Sequence, residues 1–268
     1  MTDSKFNLAA ALETLRSTDR TALDKLLLES AEAGNWSAVD AVHNAGADID
    51  GNDGARRTPL HYAADNGHTA IARQLIAMGA NIDGKDDDGW TPLHCAAFNG
   101  RIATAELLIA KGANIEAKSH PGRTPLHCAA YSGHTATAAL LIAKGAAIDV
   151  KNGAGRTPLH QAAYRGQTAM AELLIVKCAA IDAKDGDGQT PLHLAVRGRH
   201  AAFNGQTAVV EGLIAKGAHI RVRDRWGRTA FDLATGYGHR ALGEQLLQPR
   251  STLPVDPIRA ALKGQQYG

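Results

Sequence analysis

Thr-Pro-Leu-His recurs at Thr58, Thr91, Thr124, Thr157 and Thr190, each 33 residues after the last. A chain that repeats itself at so short and regular a period is a row of like units, each burying its apolar side against the next. A second ladder keeps the same step: Gly34, Gly67, Gly100, Gly133 and Gly166, followed by Gly205 and Gly238. A sixth motif unit, Thr229-Ala230-Phe231-Asp232-Leu233-Ala234, comes 39 residues after Thr190. Gly34 has no Thr-Pro-Leu-His ahead of it and marks a degenerate first unit. Seven units therefore run from about Leu23 to Gln248.

Each unit reads as helix, turn, helix and extended loop. Thr124 is a good N-cap, and Pro125 fits a first helical turn, where its missing amide loses no partner. Ala129 and Ala130 keep the first helix thin, and Gly133 ends it. Thr135 opens a second helix with Leu140, Leu141 and Ile142 on its apolar face. Lys144 complements the helix dipole and Gly145 supplies a left-handed stop. Ile148-Asp149-Val150 then runs extended into the turn sequence Asn152-Gly153-Ala154-Gly155. The composition agrees: 28 glycines and only 4% aromatics suit slender helices in close contact.

T-P-L-H, the A-A after it, G-H-T, and G-A-x-I-D before a D-x-x-G turn together resemble the ankyrin repeat family over most of the chain. The resemblance implies an all-α solenoid of L-shaped units, paired antiparallel helices with projecting β-hairpin-like loops. The repeat domain is expected at 23–248, with an N-terminal extension at 1–22 and a C-terminal tail at 249–268. An amphipathic helix over Phe6–Arg16 is expected in the extension. Asp256-Pro257 can open a short helix through Lys263, which either caps the last repeat or hangs free.

Departures from the pattern are informative. Arg56 stands where other hairpins have Gly89, Gly122, Gly155, Gly188 and Gly227, and Cys178 stands at the helix stop held by Gly79, Gly112, Gly145 and Gly217. A side chain forced into the left-handed region costs about 1–2 kcal/mol, so local strain or a different helix end is expected at Cys178. Ala230 and Asp232 replace the usual Pro and His, as suits a C-terminal cap. Six extra residues at 197–202, Arg197-Gly198-Arg199-His200-Ala201-Ala202, interrupt one repeat. A basic loop bulging between the two helices is expected there, either a tolerated insertion or a functional one.

Little points to chemistry. The motif histidines His61, His94, His127, His160 and His193 lie one per repeat. Stacked helices are about 8–10 Å apart, too far for two such rings to reach one metal centre. The resemblance implies that each bonds backbone in the next turn or repeat. Cys95 and Cys128 read as small core residues. Asp86-Asp87-Asp88-Gly89 lacks the remaining ligands and late glutamate of a calcium loop. No cofactor, metal or catalytic constellation is expected, and the chain reads as a non-enzyme. There is no run of apolar residues long enough to span a membrane. The N-terminal residues lack the pattern of a secretory signal, and three cysteines make no disulfide framework. A cytoplasmic location is expected, including the host cytosol for a bacterial effector.

In ankyrin-like proteins the hairpin tips and the exposed end of the first helix line a concave binding face. Here those positions hold Asp87, Asp88, Trp90, Phe98 and Asn99, then Arg123 and Tyr131, then Arg156, Tyr164 and Arg165, and finally Trp226, Arg228 and Tyr237. Arg197 and Arg199 of the insertion join them. Exposed aromatics beside arginine are the usual material of protein-binding hot spots. Charge is uneven: Asp53, Asp65, Asp86, Asp87 and Asp88 lie early, whereas Arg197, Arg199, Arg221, Arg223, Arg225 and Arg228 lie late. Lys85, Lys118, Lys151, Lys184 and Arg223 add a basic ladder. The expectation is a monomeric adaptor or scaffold for a protein partner. The alternative is salt-sensitive binding of nucleic acid or acidic lipid by the basic C-terminal repeats.

Overall fold

A computed structural model describes residues 20–197 and 203–247. The expected Phe6–Arg16 helix, the loop carrying Arg199 and the whole tail lie outside these residues. The described residues form fourteen helices in a repeated helix-turn-helix pattern, with no strand among them. The first four pairs are α1 (Arg20–Glu32) with α2 (Trp36–Asn44), α3 (Pro59–Asn66) with α4 (Thr69–Ala77), α5 (Pro92–Phe98) with α6 (Ile102–Ala110), and α7 (Pro125–Ser132) with α8 (Thr135–Ala143). Then come α9 (Pro158–Arg165) with α10 (Thr168–Val176), α11 (Pro191–Arg197) with α12 (Phe203–Ala215), and α13 (Ala230–Gly236) with α14 (Arg240–Leu247).

The described chain falls into two compact units, residues 20–129 with 136–147, and residues 130–135 with those from 148 on. In the first, α1 packs on α3, α3 on α5, and α4 on α6. In the second, α9 packs on α11, α11 on α13, and α10 on α12. The motif leucines Leu60, Leu93, Leu159 and Leu192 fill these contacts and are buried. Burying such a side chain contributes about 1.5–3 kcal/mol. The adjacent Ala63, Ala64, Ala96 and Ala97 are fully buried, so the first helices pack in close contact.

Two polar devices tie one repeat to the next. In the first, the backbone N–H of Thr91 donates to His94 Nδ1 (3.1 Å), and His94 Nε2 donates to the Arg123 carbonyl (2.9 Å). His61 reaches the Trp90 carbonyl (3.0 Å), His160 that of Gln189 (3.0 Å) and His193 that of Arg228 (3.2 Å) in the same manner. The second device uses the carboxylate of the I-D or I-E step. Asp50 accepts the N–H of Asn81 (3.0 Å), Asp83 that of Asn114 (3.0 Å), Glu116 that of Ala147 (2.8 Å) and Asp149 that of Ala180 (3.0 Å). Sequence reading left these carboxylates without a role, although their 33-residue spacing marks them as repeated.

The hairpin loops are turns closed by the side chain of their leading residue, an aspartate in most repeats but Ser119 and Asn152 in two. Asp86 Oδ1 accepts from the N–H groups of Asp88 (3.0 Å) and Trp90 (2.7 Å), and its carbonyl accepts from Gly89 (2.9 Å). Neighbouring tips also bond through backbone, Asp87 N–H to the Ala55 carbonyl (3.0 Å) and Arg225 N–H to the Asp187 carbonyl (2.9 Å). Cys178, where strain or a different helix end was expected, takes a left-handed φ of 67°, and Arg56, in a glycine's place in its hairpin, takes φ 60°.

The insertion behaves differently from expectation at its second boundary. Helix α11 is described as far as Arg197, and the break expected at Gly198 lies outside the described residues. Gly205, placed by its spacing in the inter-helix ladder, instead lies inside α12, which begins at Phe203. The sister glycines hold a left-handed conformation because their two helices meet across a tight junction, as at Gly166 (φ 68°). The chain is already helical two residues ahead of Gly205, whereas in the sister repeats the second helix starts after the ladder glycine.

Candidate partner-binding surfaces

In the first unit Trp90 ends its hairpin immediately before the Thr91 cap. Its N–H is held by Asp86 and its carbonyl by His61, so the backbone that carries the indole is fixed. The ring meets Phe98 edge-on, with centroids 5.2 Å apart at 64°, and lies 6.1 Å from the His94 ring. Edge-to-face pairs of this kind add about 0.5–1.5 kcal/mol beyond their buried area. Trp90 and Phe98 are consequently half-buried, not fully exposed as the sequence suggested. Asn99 Nδ2 donates to Asp65 Oδ1 (2.7 Å). Asp87 and Asp88 are exposed, and Arg123 is half-buried.

Beside them is a cluster that the sequence reading did not assemble. The Arg57 guanidinium lies 4.5 Å from the centre of the Tyr62 ring and 3.4 Å from the Asp65 carboxylate. Tyr62 donates its hydroxyl proton to Asp53 Oδ2 (2.7 Å). Burial, and then that bond to a carboxylate, push the Tyr62 phenol up to about 12. Burial alone would raise the Asp53 carboxyl, but hydrogen bonds from Tyr62, Arg57 and Ala55 outweigh it and hold the group below its ordinary value. Arg57 precedes its motif threonine as Trp90 does, which was a usable signal. Tyr62 falls at the register of buried Cys95 and gave none.

In the second unit, Arg165 places its guanidinium 4.5 Å from the centre of the Tyr131 ring, and both residues and Tyr164 are half-buried. Arg156 Nε is 3.3 Å from Asp185 Oδ2, and Arg225 is 2.9 Å from Asp187 Oδ1. Arg228 donates to Asp224 Oδ2 from Nε (3.0 Å) and Nη2 (2.9 Å). Burial would raise the Asp224 carboxyl, yet bonds from Arg228, Gln189 and Trp226 bring it down to about 2. Arg225 and Arg228 also lie 4.2 and 4.5 Å from the Trp226 ring centre. Trp226 remains 50% exposed and Tyr237 41%, so these two aromatics are as open as expected. Arg197, expected to face a partner, is half-buried and donates to Gln189 Oε1 (2.6 Å).

The charge pattern is thus partly internal. Lys85 Nζ donates to the Lys118 carbonyl (3.0 Å) and Lys151 Nζ to that of Lys184 (2.8 Å), so two rungs of the lysine ladder join repeat to repeat. The rings of His61, His94, His160 and His193 are spent at both nitrogens and keep no lone pair for a metal. Burial outweighs the carbonyl bonds and depresses all four, with His94 and His160 down to about 4. Cys95 and Cys128 are buried free thiols, and burial pushes Cys128 up to about 12.

Residues 27–119 and 126–202 match the family described as ankyrin repeats (3 copies), and 99–142 match ankyrin repeats (many copies). The chain belongs to the ankyrin repeat family. A further ankyrin repeat match at 187–225 spans the insertion-bearing repeat and the hairpin after it. Ankyrin repeats are generally protein–protein interaction modules and typically non-catalytic. No curated protein matches the chain. Among the described residues, no helix of this ankyrin protein is long and apolar enough to cross a membrane.

Proposed function

We propose that this ankyrin chain is a non-catalytic adaptor that binds a protein partner through the hairpin tips and first-helix ends of its repeats. The observation that carries the reading is the treatment of aromatic side chains there. Trp90, Tyr131 and Trp226 are fixed by neighbouring rings or guanidinium groups, yet all keep solvent-accessible surface. Rings held in place lose little conformational entropy when a partner covers them, which favours tight contact from a small area.

Binding of a polyanion by the late arginines has less support. Of these, Arg225 and Arg228 each sit against an aspartate of their own unit, so a phosphate would have to compete with a carboxylate already in place. The test is capture of partners from a lysate at moderate and high salt, comparing the intact chain with a Tyr131→Ala, Tyr164→Ala double variant. A defined protein retained at high salt and lost in the variant, with helicity unchanged, supports the adaptor. Nucleic acid or assorted acidic species, washed off by salt and indifferent to the variant, would sink it.

A further inference from the structure

The two units treat the aspartates of their hairpins in opposite ways. In the second, Asp185 holds Arg156, Asp187 holds Arg225 and Asp224 holds Arg228. In the first, the corresponding hairpin carries Asp86, Asp87 and Asp88, and among the described residues none of the three carboxylates is in an ion pair. The reason can be read repeat against repeat. Arg57 occupies the place of Arg156, but it turns to Asp65 and Tyr62 instead of Asp86. His120 occupies the place of Arg225; its N–H bonds the Asp88 carbonyl (2.8 Å), as Arg225 bonds that of Asp187, but it brings no guanidinium. Lys85, the nearest lysine in sequence, is directed to the Lys118 carbonyl.

The same contrast holds for the indoles. Trp226 carries two guanidinium groups from its own hairpin, at 4.2 and 4.5 Å. Trp90 carries none among the described residues; its ring contacts are Phe98 and His94. The Asp86–Trp90 hairpin thus carries an indole held by Phe98 and His94 and three carboxylates that no cation among the described residues pairs. Charge complementarity and the attraction of guanidinium for an indole face specify the same occupant.

Resting on the adaptor reading above, we infer that the hairpin of Asp86–Trp90 is the docking point for an arginine-bearing segment of a protein partner. The arginine stacks on Trp90 and pairs with Asp87 or Asp88 of the same hairpin; Arg225 combines the same two kinds of contact, with its indole Trp226 beside it and its acid Asp187 in the preceding hairpin. The two aspartates supply charge with their side chains, and Trp90 and Phe98 form the wall against which the arginine stem packs.

The probe is a labelled ten-residue peptide in which two arginines alternate with alanine and leucine. Its match carries glutamine in place of both arginines. Each is titrated into the full chain, with binding followed by the label's anisotropy and by the three tryptophan indole N–H resonances, assigned with single Trp→Phe variants. The expected result is saturable binding of the arginine peptide that moves the Trp90 resonance and leaves that of Trp226 in place. Affinity should fall about tenfold for the glutamine peptide and for an Asp87→Asn, Asp88→Asn double variant. Those side chains accept no backbone hydrogen bond of the turn, so the variant keeps its fold, which its circular dichroism reports. Equal affinity for the two peptides, undiminished binding by the variant, or a shift of Trp226 in place of Trp90 overturns the inference. Failure here, with a lysate partner still lost in the Tyr131→Ala, Tyr164→Ala variant, removes the arginine assignment and leaves the adaptor standing. Failure of both removes the adaptor as well.

Discussion

At the scale of single residues, Cys178 shows how a position can outweigh the side chain that occupies it. Its sister helix stops Gly79, Gly112, Gly145 and Gly217 hold φ between 95° and 101°, where a Cβ would meet nothing within 4 Å. Crowding is therefore not the difficulty. Cys178 instead settles at φ 67°, nearer the left-handed minimum that an L-residue tolerates. Cys178→Gly is expected to raise unfolding stability by about 1 kcal/mol, read as a higher urea midpoint at unchanged slope. A lower midpoint would show that the thiol supplies more than the strain removes. This anomaly was legible in the sequence because comparing repeats exposes a single misfit. The half-burial of Trp90 and Phe98 was not, since each is covered by a residue whose orientation no spacing rule gives. The pairing of Arg228 with Asp224 was hidden for the same reason.

At the scale of the helix, the Thr–His cap makes stability depend on pH. His94 and His160 are held neutral by burial at about 4, against an ordinary 6.5. The unfolded chain therefore binds more protons between those values. Their contribution is complete above pH 6.5 and is lost as pH falls toward 4, on the order of 3 kcal/mol for each ring. His61 and His193 shift in the same direction. Urea unfolding at pH 7 and pH 5 should show a marked fall in stability at the lower pH. A midpoint independent of pH across that interval would mean that these rings are not buried as neutral acceptors. Helices, caps and motif leucines were all legible, because each is dictated by neighbours within one repeat. The early start of α12 was not: Gly205 in a helix interior contradicts local propensity.

At the scale of the whole molecule, stability is a sum of nearest-neighbour terms, so a repeat whose motif positions are left uncovered should open first. In the last repeat Phe231 takes the place of the fully buried motif leucines yet is only half-buried, and Thr235 takes the place of buried Ala64 yet is exposed. Native-state hydrogen exchange should therefore be faster over α13 and α14 than over α9 and α11 of the same unit. Equal protection would show that something covers that end. The 33-residue period fixed the kind of architecture before any contact was known, whereas the division of ion pairs between the two units emerges only from side-chain geometry. The histidine bond carries one more consequence. What each ring grasps in the following repeat is a peptide oxygen, and the residues that own it are Trp90, Arg123, Gln189 and Arg228. One residue thereby gives its main chain to holding the array together, and that bond is blind to its side chain, which is an indole, a guanidinium or an amide from one repeat to the next. Different words can be spelled at such positions while the grammar that joins the repeats stays the same.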